Sequence, residues 1–277
     1  MIISDWLTEN IKKLKDASVA TARLDCLVLL EDATGINRAY LLAHPETSVT
    51  GPTCHKLNEQ VKRRAKHEPL AYIRGKTEFY GREFIINKHV LEPRPESETM
   101  IELLKQLIGQ RAEGRGQSVV DIGTGCGALG ITAKLEFPDT EVVLTDIDPN
   151  CLKVARQNTK KHKVNVTFIQ GNLLEPLFAL SPPPFALLCN LPYVPDSHVI
   201  NKAAMNEPRV AIFGGPDGLD LYRQLFTQLS INKQFTSVKY VLTESLPPQH
   251  PALSQIAKNH GFKQYKEDDF IQVFEKS

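Results

Sequence analysis

The chain has 277 residues, of which 42% are hydrophobic and 23% are charged, and its formal net charge is +1. This length allows one large or two ordinary domains, and this composition is typical of a globular protein. The near-neutral charge argues against a general nucleic-acid binder, and the five widely spaced cysteines, which form no C-x-x-C pair, exclude a disulfide framework or a zinc site of that type.

The start of the chain gives no sign of export or membrane insertion. The sequence MIISDWLTEN lacks the basic and apolar regions of a signal peptide, and no apolar run approaches the roughly 18 residues of a membrane span. We therefore expect a cytoplasmic protein, without a membrane partner and without a metal site.

The first part of the chain, residues 1–75, predicts a small helical bundle. Apolar residues recur at helical spacing over 6–17, 24–33, 37–42 and 52–67, with glycines at the breaks. Ser4 is the expected N-cap of the first helix. We interpret 1–75 as a separate helical domain.

A different pattern begins at Thr77. Apolar and polar residues alternate on both sides of Gly81, which predicts a two-stranded hairpin over residues 77–90 and a hairpin linker over 76–95. Two prolines then stiffen the chain, and a helix is predicted to open at Glu96 and Ser97. The expected inner face of this helix consists of Met100, Leu103, Leu104 and Leu107.

The remainder, residues 96–277, predicts a second domain with an α/β fold. Strands are predicted at 118–122, 141–145, 166–169, 185–189, 239–243, 261–265 and 271–274, with helices between the first five. This alternation indicates a doubly wound, mostly parallel seven-stranded sheet. Because KEDDF alone separates the last two strands, they should form an antiparallel C-terminal hairpin.

The strand SVVDI leads into a glycine-rich segment, GTGCGALG, which predicts a ligand site. Gly123, Gly125 and Gly127 permit a tight turn and a close approach of a ligand to backbone N–H groups. Asp146 ends the second strand, where its carboxylate can accept hydrogen bonds from two ribose hydroxyls. An adenosine-containing cofactor is favoured, although Gly125, Gly127 and Gly130 also satisfy G-x-G-x-x-G, so a nicotinamide-dependent dehydrogenase is a rival.

Asp121 separates these two possibilities. A carboxylate just before the glycines would repel a pyrophosphate but would suit the ammonium group of a methionine moiety, which indicates S-adenosylmethionine. The alternative is that Asp121 caps the glycine loop. After the third strand, Asn172 is positioned to bond an adenine amino group and Leu173 to pack on the adenine ring.

The fourth strand ends in Asn190-Leu191-Pro192-Tyr193, which predicts a site for a planar NH2 group. The side-chain oxygen of Asn190 and the main-chain carbonyl of Leu191 are two acceptors, and Tyr193 offers a flat ring. Such a turn can fix the direction of a nitrogen that is about to be alkylated. The alternative is a strand followed by a turn stiffened by Pro192.

Taken in order, the glycine loop, Asp146 and the Asn-Leu-Pro-Tyr turn resemble those of class I S-adenosylmethionine-dependent methyltransferases that act on nitrogen. More narrowly, the chain resembles the release factor glutamine methyltransferase family of the PrmC/HemK type. The resemblance rests on EPLAYIRGKTEFYGREF, EPRPESE, VVDIGTGCGALGI, NLPYVP and MNEPRVAIFGGPDGLDLYR.

The resemblance implies both a function and a set of site residues. It implies methylation of the glutamine amide in the Gly-Gly-Gln motif of a peptide chain release factor, with the helical domain engaging that protein. The implied cofactor residues are Gly123, Thr124, Gly125, Cys126, Gly127, Asp146, Asn172 and Leu173, beside Asp121 and Asn190. Asn190, Leu191, Pro192 and Tyr193 would receive the glutamine.

The sequence departs from the family pattern at two positions, and a rival family remains. Leu191 stands where the family has proline, and Asn172 where it has aspartate. Ribosomal RNA adenine methyltransferases also carry Asn-Leu-Pro-Tyr, but we associate neither the helical domain nor PRPESE and GGPDGLDLYR with them. The low net charge also disfavours stable nucleic-acid binding.

Overall fold

The computed structural model describes residues 1–109, 117–177 and 183–277. These residues form two compact units, one of Met1–Lys76 with Ile200–Asn206, and one of Thr77–Val199 with Glu207–Ser277. Within the described ranges, no helix is both long enough and apolar enough to cross a bilayer.

The first unit consists of five helices. They are α1 (Ile3–Asp16), α2 (Ala22–Thr34), α3 (Arg38–Ala43), α4 (Gly51–Ala65) and α5 (Leu70–Arg74). The predicted cap was wrong, because α1 begins at Ile3 and has no side-chain cap. Instead, the N–H groups of Ile3 and Ser4 donate to the carbonyls of Thr47 and Pro45, at 2.9 and 3.0 Å, so a distant segment satisfies the helix start. Helix α5 was not predicted, and it ends at Gly75 in the left-handed conformation.

Polar bonds fix the packing of this first unit. Trp6 is fully buried, and its indole N–H donates to Oδ1 of Asn58 at 2.9 Å. Arg64 and Asp25, both nearly buried, form an ion pair at 2.6 Å. These contacts join α1 to α4 and α2 to α4, so the three longest helices share one core.

The second unit begins with the hairpin of β1 (Lys76–Phe79) and β2 (Arg82–Ile85). Asn158, whose side chain is fully buried, accepts from the N–H of Ile85 at 2.7 Å. Its Nδ2 donates to the carbonyls of Ile85, at 2.9 Å, and of Cys126, at 2.8 Å. One amide therefore joins the hairpin to the glycine loop.

The sheet of the second unit has seven strands in the order β5-β4-β3-β6-β7-β9-β8. The strands are β3 (Ser118–Ile122), β4 (Glu141–Asp146), β5 (Thr167–Gln170), β6 (Ala186–Cys189), β7 (Tyr240–Glu244), β8 (Phe262–Asp268) and β9 (Ile271–Lys276). The first five strands pair with one another in parallel, and β9 runs antiparallel to both β7 and β8. The predicted α/β fold with an antiparallel C-terminal hairpin is confirmed.

Helices accompany most of the crossovers between these strands. They are α6 (Glu98–Gly109), α7 (Ala128–Glu136), α8 (Pro149–His162), α9 (Asp220–Ile231) and α10 (His250–Asn259). The predicted inner face of α6 is buried throughout. Between β5 and β6, however, the described residues contain only a short 3-10 turn, Glu175–Leu177, in place of the predicted helix, and residues 178–182 lie outside the described part of the chain.

The strand order decides where a ligand site can form. From β3 the chain crosses to β4 on one side, whereas β6 lies on the other side of β3, so the direction of winding reverses between β3 and β6. Crevices at such reversals, at the carboxyl ends of parallel strands, are the usual ligand sites of open α/β sheets. Ile122 pairs in register with Cys189, so the glycine loop after β3 and Asn190 after β6 emerge side by side.

Candidate active site

The glycine loop connects β3 to α7 in a backbone conformation that requires glycine. Gly123, Gly125 and Gly127 have φ values of 70°, 56° and 87°, in the left-handed region that favours glycine over other residues. At Gly130, a Cβ atom would lie 2.1 Å from Cδ2 of Leu144, so α7 packs on the sheet at a distance that only glycine allows.

Asp121 holds this loop in place and also lines the cavity beside it. Its Oδ2 accepts from the hydroxyl of Thr124 at 2.6 Å and from the N–H of Gly130 at 2.9 Å, which is the capping role considered from the sequence. Burial raises the pKa of Asp121 to about 6, although these two hydrogen bonds oppose the rise. Because the side chain also lines the cavity, the capping role and a contact with a cationic ligand are compatible.

Asp146 ends β4 with both carboxylate oxygens on backbone donors. Oδ2 accepts from the N–H of Gly125 and Oδ1 from the N–H of Asp148, each at 2.9 Å. Each oxygen has a further lone pair, so both can still accept a hydroxyl proton. Burial raises the pKa of Asp146 despite these bonds.

Asn172 and Leu173 follow β5 and line the same cavity as Asp121 and Asp146. Nδ2 of Asn172 donates to Oε1 of Glu175 at 3.3 Å, which leaves its Oδ1 as the atom suited to accept from an amino group. Leu173 is buried, and both residues line the cavity.

The Asn-Leu-Pro-Tyr turn follows β6. Nδ2 of Asn190 donates to Oγ of Ser97 at 3.0 Å, and the hydroxyl of Tyr193 donates to Oε1 of Glu244 at 3.0 Å. The side chain of Leu191 is 3% exposed, and a Cβ added at Gly123 would lie 3.3 Å from its Cδ2. Leu191 therefore packs beside Gly123, and both residues line the cavity, so the leucine that stands in place of the family's proline lies at the site itself.

A second loop packs directly on this turn and explains the GGPDGL segment. A Cβ at Gly214 would lie 2.2 Å from the carbonyl oxygen of Pro192, and one at Gly218 would lie 2.0 Å from that of Tyr193. Nε2 of Gln249 also donates to the carbonyl of Tyr193, at 2.8 Å. This loop is thus held against the turn at 214–218.

Three residues that contact the turn were not identified as site residues from the sequence. Ser97, Glu244 and Gln249 contact the turn, yet each lies far from it along the chain. The sequence signal that could have pointed to Ser97 is the segment PRPESE, on which the family resemblance already rested.

One cavity brings most of the predicted site residues together. It is lined by Asp121, Gly123, Thr124, Gly125, Cys126, Asp146, Asn172, Leu173, Asn190, Leu191 and Pro192. Gly127 and Tyr193 are not among its lining residues: Gly127 is the N-cap of α7, and Tyr193 contacts Glu244 through its hydroxyl.

The chemistry of this lining distinguishes between the two cofactor classes. It is mainly apolar, it includes two buried carboxylates, and it contains no lysine or arginine among the described residues. A pyrophosphate would therefore lie beside two acids without a compensating cation. A ligand with ammonium and sulfonium groups would offset those charges, so the lining fits S-adenosylmethionine.

Comparison with known proteins identifies two family models along the chain. The family model described as the PrmC N-terminal domain matches residues 5–75, and that of the methyltransferase small domain matches 97–206. A crystal structure of a methyltransferase from Pyrococcus furiosus has the same fold, with a TM-score of 0.50, 18% identity, and coverage of 79% of this chain and 98% of that one.

Two curated relatives cover most of the chain. A bifunctional methyltransferase from Rickettsia bellii is 30% identical over 94% of this chain, which spans 51% of that protein. A release factor glutamine methyltransferase from Koribacter versatilis is 33% identical over 234 residues, which are 83% of this chain and 81% of that protein. The chain therefore belongs to the release factor glutamine methyltransferase family, as the resemblance implied, and is an S-adenosylmethionine-dependent protein-glutamine N-methyltransferase.

Proposed function

We propose that this enzyme methylates the side-chain amide nitrogen of the glutamine in the Gly-Gly-Gln motif of a peptide chain release factor. The names of its relatives support a release factor as the substrate. The observation that carries the proposal is the placement of Asn190 and Leu191 in the lining of the cavity that also contains the glycine loop and Asp146.

In this proposal the turn acts by binding the amide and directing its nitrogen. An amide nitrogen is a poor nucleophile because its lone pair is delocalised into the carbonyl. Oδ1 of Asn190 and the main-chain carbonyl of Leu191 accept the two amide hydrogens, and this raises the electron density on nitrogen. The ring of Tyr193, held through its hydroxyl, packs against the amide plane, and Pro192 keeps the carbonyl of Leu191 out of a helix.

The remaining site residues hold the cofactor, which supplies an electrophilic methyl group when bound. Asp146 accepts the ribose hydroxyls, Asn172 and Leu173 contact the adenine, and Asp121 with residues 123–127 surrounds the methionine moiety. Holding amide and methyl group in contact contributes about 7–11 kcal/mol, by analogy with well-oriented intramolecular reactions. Orientation is thus the main catalytic term. The methylated nitrogen releases its extra proton to water after the transfer, so no strong base is needed.

We further propose how the domains divide this work in the cytoplasm. Residues 1–75 engage the release factor, residues 76–95 link the domains, and residues 96–277 carry the transfer site. The match of 5–75 to the PrmC N-terminal domain supports this division.

The test is transfer of a labelled methyl group from S-adenosylmethionine to a purified release factor. Label should enter the wild-type factor and should be absent from a factor whose Gly-Gly-Gln glutamine is replaced by alanine. Deproteinised ribosomal RNA is offered in parallel, because Asn-Leu-Pro-Tyr is shared with RNA adenine methyltransferases. Label in the RNA alone would overturn the proposal in favour of that rival.

A further inference from the structure

A buried carboxylate lies next to the Asn-Leu-Pro-Tyr turn, at the end of β7. Glu244 is 1% exposed, and in the described part of the chain it has no lysine or arginine partner. Its Oε2 accepts from Oγ of Ser97 at 2.6 Å, and its Oε1 accepts from the hydroxyl of Tyr193 at 3.0 Å. Apart from these two hydroxyl groups, among the described residues the side-chain amide of Asn190 also hydrogen-bonds Glu244, and burying an acid without a cation beside it is costly.

The direction of these hydrogen bonds determines the orientation of Asn190. A hydroxyl has one proton, and that of Ser97 is given to Glu244, so Oγ of Ser97 can only accept from its other neighbour. That neighbour is Nδ2 of Asn190, at 3.0 Å. The NH2 end of the Asn190 amide is thereby held on Ser97, and Oδ1, which has no hydrogen-bond partner among the described residues, is the end left for a ligand.

We propose that Glu244 is a positioning residue, which acts through Ser97 to hold the Asn190 amide with its oxygen toward the substrate. The two ends of a carboxamide have nearly the same size, so packing alone does not choose between them. In the reversed orientation an NH2 group would meet the NH2 group of the substrate, and neither can accept a hydrogen bond. This inference rests on the proposed function, in which Oδ1 of Asn190 accepts an amide hydrogen.

The protonation state of Glu244 controls this chain of bonds. Burial raises its pKa to about 7, with the carboxylate of Glu96 adding to the rise and the bonds from Ser97, Tyr193 and Asn190 opposing it. Further ionisable groups near the turn are Arg94, whose charge acts on Tyr193, Tyr222, whose hydroxyl lies 2.5 Å from the backbone carbonyl of Glu244, and the buried thiol of Cys189, which acts on Tyr222. None of their side chains accepts a hydrogen bond from Ser97.

A proton on Oε2 would reverse the hydrogen bond with Ser97. The acid would then donate to Oγ, the proton of Ser97 would turn to Asn190, and Oδ1 would become its acceptor. The acceptor needed for the substrate would be lost. Turnover should therefore be low below pH 7 and should rise as Glu244 ionises.

The experiment compares Ser97→Ala and Glu244→Leu with the wild type, using the release factor as substrate from pH 5.5 to 8.5; leucine removes both the acceptor for Ser97 and the ionisable group. The wild-type kcat should rise with a midpoint near pH 7. Ser97→Ala and Glu244→Leu should each lower kcat by roughly tenfold to hundredfold and abolish this rise of kcat with pH, by analogy with the loss of one preorganised hydrogen-bonding group at a transition state. Calorimetry should show S-adenosylmethionine affinity changed much less than kcat in both.

The matched control is Thr243→Val, which removes the hydroxyl of the fully buried neighbour on the same strand without touching the chain of bonds. It should keep both the kcat of the wild type and the rise of kcat with pH. If the two test variants do not fold, as judged by urea unfolding, the wild type itself is titrated by NMR. The side-chain NH2 signals of Asn190, assigned by their loss in Asn190→Asp, should then shift with a midpoint near pH 7.

The outcomes separate this inference from the proposed function. A wild-type enzyme that transfers no methyl group to the release factor overturns the proposed function. The positioning role alone is overturned if the wild type is active and a folded Ser97→Ala variant keeps both its kcat and the rise of kcat with pH. Asn190 signals that do not change between pH 5.5 and 8.5 also overturn it.

Discussion

The contact between the GGPDGL loop and the Asn-Leu-Pro-Tyr turn is tested by Gly218→Ala. Gly218 has φ +81°, and an added Cβ would lie 2.0 Å from the carbonyl oxygen of Tyr193 and 2.5 Å from Nε2 of Gln249. Gly261 has the same φ of +81°, but its nearest atom, Nζ of Lys276, is 3.9 Å away. Gly261→Ala therefore measures the cost of the left-handed backbone alone.

The structure gives the size of the two effects. A left-handed alanine costs about 1–2 kcal/mol at either position. At position 218 the Cβ must also displace Gln249, whose Nε2 donates to the carbonyls of Tyr193, at 2.8 Å, and Asp217, at 2.7 Å. Loss of these two bonds adds about 2 kcal/mol at a typical net value of about 1 kcal/mol each. Gly218→Ala should therefore lower the free energy of unfolding by about 3–4 kcal/mol, about 2 kcal/mol more than the control.

Equilibrium urea unfolding of both variants, with turnover on the release factor, measures the difference. A shift of the turn by about 1 Å should lower kcat of Gly218→Ala by as much as ~100-fold, whereas Gly261→Ala should keep its kcat. Equal destabilisation of the two variants, or full turnover by Gly218→Ala, would refute the argument that the loop holds the turn in place.

Three further substitutions test the other parts of the site. Asn190→Ala should lower turnover far more than S-adenosylmethionine affinity, because the lost acceptor faces the substrate; equal losses by kinetics and calorimetry would contradict this role. Asp146→Ala should weaken cofactor binding at least tenfold and affect turnover less, since a hydrogen bond to a charged group contributes about 1.5–3 kcal/mol. Unchanged cofactor binding in calorimetry would remove Asp146 from the site. Asn158→Leu should lower the free energy of unfolding by about 3 kcal/mol, because it leaves buried backbone groups of Ile85 and Cys126 unpaired. A loss below about 1 kcal/mol in urea unfolding would show that water takes over the lost hydrogen bonds.

Elements governed by local patterns were predictable from the sequence. The strand SVVDI was predicted with the bounds that the structure has, and the apolar spacing of α6 identified its buried face, because both signals repeat within a few residues. The glycine loop was also recognisable, since a left-handed backbone near a strand end restricts the residue type.

The errors arose where distant segments replace local signals. Ser4 is a good N-cap by residue type, but the carbonyls of Pro45 and Thr47 already satisfy the first N–H groups of α1. Helix α5 has five residues, too few to show a helical period. Asn158 gave no signal at all, because its partners in the hairpin and the glycine loop are 73 and 32 residues away.

The sequence by itself determined the order of the strands and helices, the glycine loop, and the presence of Asn190 at a strand end, because each depends on residues that are neighbours in the chain. Only the tertiary structure decided which end of the Asn190 amide meets a ligand. That choice depends on Ser97, 93 residues from Asn190, and on Glu244, 147 residues from Ser97, and these side chains become neighbours only when β6 and β7 pair and α6 packs beside them.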